Sequence, residues 1–203
     1  MGDANRVNPA RAPLLSGARV FVRHPVDADR AEIAALRRAS REWLVKWDPL
    51  PPGSVAIDED AQAERIVSSA DTQTNQRHLV CEVESGRIVG VVSLNQICRG
   101  PFDNAIMGYW RGEGFGGRGL MAEGVRLVLE RAFGGLGLHR VEANLMPRNG
   151  ASRALAVRCG FRYEGYSPNY LQIAGHWEGH ERYAMTLEDW RQVREVRESV
   201  RRP

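Results

Sequence analysis

The stretch "GYWRGEGFGGRGLMAEG" at 108–124 places glycines at 112, 114, 116, 117 and 119 between an aromatic pair and an apolar run of helical spacing. Strand, glycine turn and helix start, in that order, leave backbone N–H groups unpaired where the helix dipole favours negative charge. That is the chemistry of phosphate binding. Glycine suits such a loop because side chains would hold a ligand away and because some positions must take positive φ. A nucleoside-triphosphate loop would end in Gly-Lys-Ser/Thr, and "GRGL" stands there instead. Gly112, Gly114 and Gly117 fit the Gly-x-Gly-x-x-Gly dinucleotide pattern locally. That pattern normally opens a parallel βαβ unit at the head of its domain, whereas here a helical region and a hairpin come first. What remains is a pyrophosphate held by backbone, with Arg118 as a charge-assisted partner.

Other residues are placed for chemistry further along. Glu142 and Asn144 stand two apart in the strand-like "HRVEANLM" at 139–146 and so share one side. Asn149 and Ser152, in "NGAS", have the spacing of a helix start, where an Asn cap is worth ~1 kcal/mol. Cys81, Cys98 and Cys159 are scattered with no Cys-x-x-Cys, which excludes a disulfide framework and a zinc site of ordinary spacing. Five scattered histidines give no reason to expect a metal.

The elements that must position these groups can be read from the pattern. A flexible leader, 1–17, precedes a first strand in "ARVFVRHP" at 18–25. A helix then runs from Asp27 or Asp29 as N-cap and is stopped by "PLPPG" at 49–53; a second, at 58–70, opens with the acidic "DED". "HLVCEVES" and "RIVGVVSLNQI" read as a hairpin turning at Ser85 and Gly86, and "NAIMGYW" at 104–110 as the strand that enters the glycine loop. Met121, Val125, Val128 and Ala132 form one helical stripe ending in "GGLG". A short helix at 149–160 and two strands turning at Ala174 and Gly175 complete a domain over 18–190. The rest, 191–203, is a charged, solvated tail.

At 203 residues the chain suits one domain, hence one site. Its 43% hydrophobic and 26% charged content is that of a globular protein, and no apolar run approaches the ~20 residues of a membrane span. The start "MGDANRVNPARAP" lacks the apolar core of a secretory signal, so the expectation is a cytoplasmic protein with no membrane partner. A formal charge of +3 fits an anionic ligand or a basic face near nucleic acid.

The order of elements resembles the GNAT superfamily of acetyl-CoA-dependent N-acetyltransferases, whose signature is Gln/Arg-x-x-Gly-x-Gly/Ala between a strand and a helix. "GGRGLM" at 116–121 matches it with Gly116 in place of Gln or Arg and Met121 in place of Gly or Ala. "SREWLVKWDP" at 40–49, "HRVEANLMPRNGAS" at 139–152, "CGFRYEGY" at 159–166 and "YLQIAGHWEGHERYAMTLEDW" at 170–190 are similar to the RimJ/RimL group of ribosomal-protein alanine N-acetyltransferases, nearest to RimJ. The resemblance spans roughly 18–190. It implies an α/β fold with a mixed, mostly antiparallel sheet flanked by helices, and acetyl transfer from acetyl-CoA to an N-terminal Ala or Ser amine of a ribosomal protein. Indirect ribosome contact and a homodimer stay open. So do two alternatives: an acetyltransferase of small amines, aminoglycoside or polyamine, drawing on the acids of "DED" and Glu42, and a non-catalytic module that binds acetyl-CoA or the ribosome.

The same resemblance distributes roles. The backbone of Gly116, Gly117, Arg118, Gly119, Leu120 and Met121 would hold the pyrophosphate. Trp110 and Arg111 would offer backbone N–H groups to the thioester carbonyl, and Asn144, Asn149 and Ser152 would lie along the pantetheine arm. An α-amine of pKa about 8 is partly neutral at cellular pH, so a weak base suffices. Glu142 is the first candidate, directly or through water. Ser152 and Tyr170 compete to protonate the departing thiolate, while Trp43 and Trp47, four apart, would wall the acceptor groove. Attack would be direct, leaving Cys159 dispensable.

Overall fold

Alternating apolar residues in eight segments build one sheet, seen in a computed structural model that describes residues 11–49 and 58–201. The strands are β1 (Leu15–Ser16), β2 (Val20–Arg23), β3 (Gln76–Glu82), β4 (Ile88–Cys98), β5 (Asn104–Arg111), β6 (Arg140–Leu145), β7 (Arg162–Ile173) and β8 (His176–Thr186). They lie in the order β1-β2-β3-β4-β5-β6-β8-β7, antiparallel throughout except for β5 beside β6. The helices are α1 (Arg30–Ala39), α2 (Arg41–Leu44), α3 (Glu59–Ser68), α4 (Leu120–Glu130), α5 (Gly150–Cys159) and α6 (Leu187–Arg201).

Two apolar layers sandwich the sheet. On one face α4 buries Leu120, Val125, Val128 and Leu129 against Val80, Val92 and Leu94. Such side chains contribute about 1.5–3 kcal/mol each on burial, and they include the expected stripe of Met121, Val125, Val128 and Ala132. On the other face Ile33, Ala63 and Ile66 of α1 and α3 meet Leu79, Ile88 and Val91. Gly124 lets α4 lie close to β3: a Cβ there would stand 2.7 Å from a Val80 methyl.

Several local readings are corrected. The expected single helix from Asp27 breaks at Ser40, whose hydroxyl donates back to the Leu36 carbonyl at 2.7 Å. Asp29 occupies the N-cap position of α1 but makes no cap bond. Its buried carboxylate instead accepts from both terminal nitrogens of Arg23, at 2.6 and 2.9 Å, and from the Val26 N–H. The leader contributes β1, paired with β2, and an ion pair from Arg11 to Asp29 at 2.8 Å; residues 1–10 lie outside the described residues. The charged stretch from 191 is not free of the domain, because α6 packs Trp190 against Phe133 and Val193 against Gly160. At the acidic start expected for α3, Asp58 is the N-cap, accepting from the N–H groups of Asp60 and Ala61 at 3.0 and 3.2 Å.

The single parallel pair is where the sheet opens. β5 and β6 pair only over Asn104–Ile106 and Arg140–Glu142. Beyond Ile106, β5 stays with β4 and, beyond Glu142, β6 stays with β8, so the two strands part and leave a cleft through the sheet.

Candidate active site

A cavity of about 1110 Å³ runs through this parting of the strands. Volumes of about 300–1,000 Å³ hold a drug-sized molecule, so there is space for an extended ligand and part of a second one. Its lining includes Trp43, Trp47, Trp110, Arg111, Gly116, Gly117, Gly119, Leu120, Met121, Asn144, Asn149, Ser152 and Tyr170. Residues far apart in the chain thus meet in one place.

One end of the cavity is made of backbone. Gly114, Gly117 and Gly119 take positive φ of 83°, 73° and 72°, and Gly119 is the N-cap of α4 in the left-handed region. It carries no capping side chain, so the first N–H groups of α4 have no helical partner and open on the loop. Gly116 has a specific neighbour: a Cβ there would fall 2.9 Å from an Arg111 Nη. The guanidinium of Arg111 therefore fills the space where the family motif carries a Gln or Arg side chain, and it lies 5.1 Å from the Trp43 ring centre. Arg111 and Arg158 both line the cavity, and neither has a carboxylate partner among the described residues. Two open cations beside a row of free N–H groups suit a pyrophosphate-bearing ligand with a long arm.

Along the arm's path the antiparallel alternation corrects one expectation. Gly112 N–H donates to the Val89 carbonyl at 2.9 Å, which fixes the β4 side of the ladder. Trp110, two residues earlier, then also bonds β4, while the N–H groups of Tyr109 and Arg111 turn to the cleft. Trp110 presents its ring to the cavity, with Arg37 5.2 Å from the ring centre. Asn149 caps α5, its Oδ1 accepting from Ser152 N–H at 3.1 Å, and the Ser152 carbonyl accepts from the Tyr109 hydroxyl at 2.9 Å. Burial pushes that phenol far above its usual range, which makes Tyr109 a structural donor.

The other end is made of side chains. Trp43 and Trp47 meet edge to face, 6.4 Å between centres. Beside them Asp48 accepts from Arg37 at 2.6 Å, and Arg37 also holds Glu59 at 2.6 Å. Burial pushes the Asp48 carboxyl up despite Arg37, and Glu59 pushes in the same direction. Across the cleft, Pro168, Asn169 and Tyr170 bulge between the pairs Ser167↔His180 and Leu171↔Glu178, three residues opposite Gly179. Asn169 takes φ of 47° there. The bulge sets Tyr170 against His180, ring centres 5.3 Å apart, and its hydroxyl accepts from Asn144 Nδ2 at 2.8 Å. Asn144 Oδ1 is buried with no partner among the described residues.

Two expected residues are not brought in. Glu142 shares a side of β6 with Asn144 but lies outside the cavity lining. Its two oxygens accept from Arg140 and Arg182, each at 2.9 Å, so the carboxylate is committed to a structural ion cluster. Arg118 turns away from the loop and pairs with Glu82 on the outer surface, while its carbonyl accepts from Arg19 at 2.7 Å. The acids named for a small-amine site are also elsewhere: Asp58 caps α3, Glu59 and Asp60 pair with Arg37 and Arg38, and Glu42 is exposed.

His180 is the residue that reading the chain passes over. It is 3% exposed and lines the cavity. No local pattern announces it: a regular hairpin about Ala174 and Gly175 would set His180 opposite Asn169, and only the bulge brings it against Tyr170. Among the described residues no group of His, Cys, Asp and Glu is arranged to hold a metal, and no helix is long and apolar enough to cross a membrane.

Comparisons with known proteins agree with this geometry. The family model described as "Acetyltransferase (GNAT) domain" matches residues 19–162. The chain is 32% identical to the probable N-acetyltransferase YjcK of Bacillus subtilis, over 87% of this chain and 98% of that protein. It is 30% identical to the ribosomal protein uS5-alanine N-acetyltransferase of Escherichia coli, over 87% and 92%. Its fold matches RimJ of Mycobacterium smegmatis, solved in complex with a CoA-disulfide, with a TM-score of 0.76 and 24% identity over 87% of this chain and 88% of that one.

Proposed function

The chain belongs to the GNAT acetyltransferase family and is an acetyl-CoA-dependent N-acetyltransferase, and from that premise we propose that its acceptor is the α-amine of a protein N-terminus, Ala or Ser, on a ribosomal protein. The observation that carries the acceptor class is the charge of the cavity wall. Asp48 is the one carboxylate among its described lining residues, and Arg37 already pairs with it, while Arg111 and Arg158 are open cations. A polyamine or aminoglycoside would meet too little negative charge there. A peptide α-amine needs far less, since with pKa about 8 it is partly neutral on arrival. The name of the uS5-alanine relative points to the same acceptor.

Bound acetyl-CoA supplies an acyl carbon already activated as a thioester. The protein's part is placement and proton handling. Loop 112–119 and the start of α4 hold the pyrophosphate, with Arg111 lending charge where the motif's own side chain is missing. Tyr109 and Arg111 aim N–H groups at the acyl oxygen, where charge develops in the transition state. Asn144 donates to the Tyr170 oxygen, which leaves the phenol's own proton free to be given to the leaving sulfur. Ser152, whose backbone is fully used in the cap and by Tyr109, is the weaker candidate for that proton. Trp43 and Trp47 close the acceptor side against water.

The test is thiol release from acetyl-CoA with peptides beginning Ala, Ser or Met, an N-terminally blocked lysine peptide, and spermidine. Turnover is expected on the Ala and Ser peptides. Preference for spermidine or for the lysine peptide would overturn the acceptor assignment.

A further inference from the structure

We propose that His180 is the proton acceptor for the incoming amine, beside Tyr170 as proton donor in the same wall of the cleft; the inference rests on the acetyltransferase reading of the cleft. Its Nδ1 lies 3.0 Å from the Glu178 carbonyl oxygen. A carbonyl can only accept, so Nδ1 carries the proton and Nε2 of the neutral ring keeps its lone pair. The ring is buried in the wall of the cleft.

Position adds to protonation state. The attacking nitrogen and the leaving sulfur are attached to the same carbon, and reacting atoms meet within roughly 3–3.5 Å, so the groups that serve them must be neighbours. Tyr170 and His180, 5.3 Å between ring centres, meet that requirement. His180 Nε2 takes the proton that the amine nitrogen sheds on bonding to the acyl carbon. Tyr170 gives one to the sulfur released as the carbon–sulfur bond breaks. Both are reset when the imidazolium returns its proton, through solvent, to the phenolate. Glu142 cannot share this work from outside the cavity, and Asp48 is committed to Arg37.

The charged and titratable groups around the ring are few. Glu178 on its own strand is paired with Arg148 at 2.8 Å, Tyr170 packs against it from β7, and Arg182 lies 5.6 Å from the Tyr170 ring centre. Burial lowers the imidazole's pKa from 6.5 against the weaker pull of Glu178, so the ring is neutral and able to accept at cellular pH.

Two measurements decide the matter. In the free protein, nitrogen-correlated NMR of the His180 ring is expected to show the Nδ1–H tautomer, titrating below 6.5, with Nε2 shifted on adding acceptor peptide. An Nε2–H tautomer would overturn the proposal whether or not the enzyme turns over. In kinetics, log kcat/KM of the wild type should rise with slope two below the His180 pKa, as ring and amine both lose protons, and with slope one up to the amine's pKa near 8. His180→Gln should keep slope one throughout and fall about 10²–10⁴-fold on the plateau, with an unchanged melting temperature. A slope-two limb that survives in His180→Gln and disappears in Asp48→Asn would transfer the role to Asp48. Wild-type inactivity on every amine would count against the enzymatic reading and leave the NMR result to judge His180.

Discussion

The two ends of the cleft are built by different means. The cofactor end is backbone: positive-φ glycines, the open N–H groups of α4 and the unpaired edge of β5, with Arg111 the main side chain in play. The acceptor end is side chain: two Trp and an Asp from the chain after α1, a Tyr lifted by a bulge in β7, a His from β8 and an Asn from β6. A backbone site depends on conformation and tolerates changes of residue type. On the proposed reading, Gly116 and Met121 can depart from the family motif because any N–H groups they offer the cofactor remain. A side-chain site depends on identities, and each has to be held by something else.

Arg37 shows how much holding that takes, and it offers the hardest way to break the comparison. Its guanidinium, 3% exposed, is the shared partner of Asp48 and Glu59. Arg37→Ala would leave two buried carboxylates facing each other, and is expected to cost about 3–5 kcal/mol by urea unfolding. Much of the loss should return in a triple variant with Asp48→Asn and Glu59→Gln, because those charges would no longer need a partner. If the single variant is as stable as wild type, the acceptor end is not organised around that ion cluster.

Gly119→Val tests the other end. A β-branched residue at φ 72° is strained by about 1–3 kcal/mol, less than the Arg37 loss. The larger consequence should be functional, because relaxing the strain would turn the first N–H groups of α4 away from the ligand. Calorimetry with acetyl-CoA should show affinity reduced roughly tenfold or more, each tenfold being about 1.4 kcal/mol. An unchanged affinity would mean that Arg111 and Arg158, and not the backbone, hold the pyrophosphate.

The same contrast explains what can be read from the chain. The glycine loop, the strand before it and the amphipathic helix after it are local patterns, and each appears in the structure near its expected bounds. The Asn149 cap is likewise contained in four residues. Glu142 misleads as a base because it looks free on its strand, and nothing near it in sequence announces that Arg182, forty residues on, takes one of its oxygens. Arg118 misleads for the same reason, its partner Glu82 lying on a distant strand. His180 is easy to pass over because its importance comes from a bulge three residues wide in the opposite strand, which pairing rules for a regular hairpin do not foresee. Contacts across the sheet decide side-chain roles, and a lone chain does not display them.

Cys159 carries the smallest expected effect and the sharpest mechanistic content. It lies on α5, close under α4, with its Sγ 3.7 Å from the Ala122 carbonyl and 1% of its surface exposed. Burial pushes the thiol up to about 11, against the pull of Arg126, Arg197 and Arg158. At pH 7 that leaves only about one molecule in ten thousand as thiolate, the form that attacks a thioester. Cys159 is also absent from the cavity lining, so a covalent acetyl-enzyme through this residue has no access to the thioester. Cys159→Ala is therefore expected to leave turnover unchanged, and intact-mass measurement after exposure to acetyl-CoA should find no acetyl group on the wild-type protein. Lost turnover with retained cofactor binding would make transfer a two-stage reaction, and the proton donor and acceptor paired side by side on β7 and β8 would then serve the second stage alone.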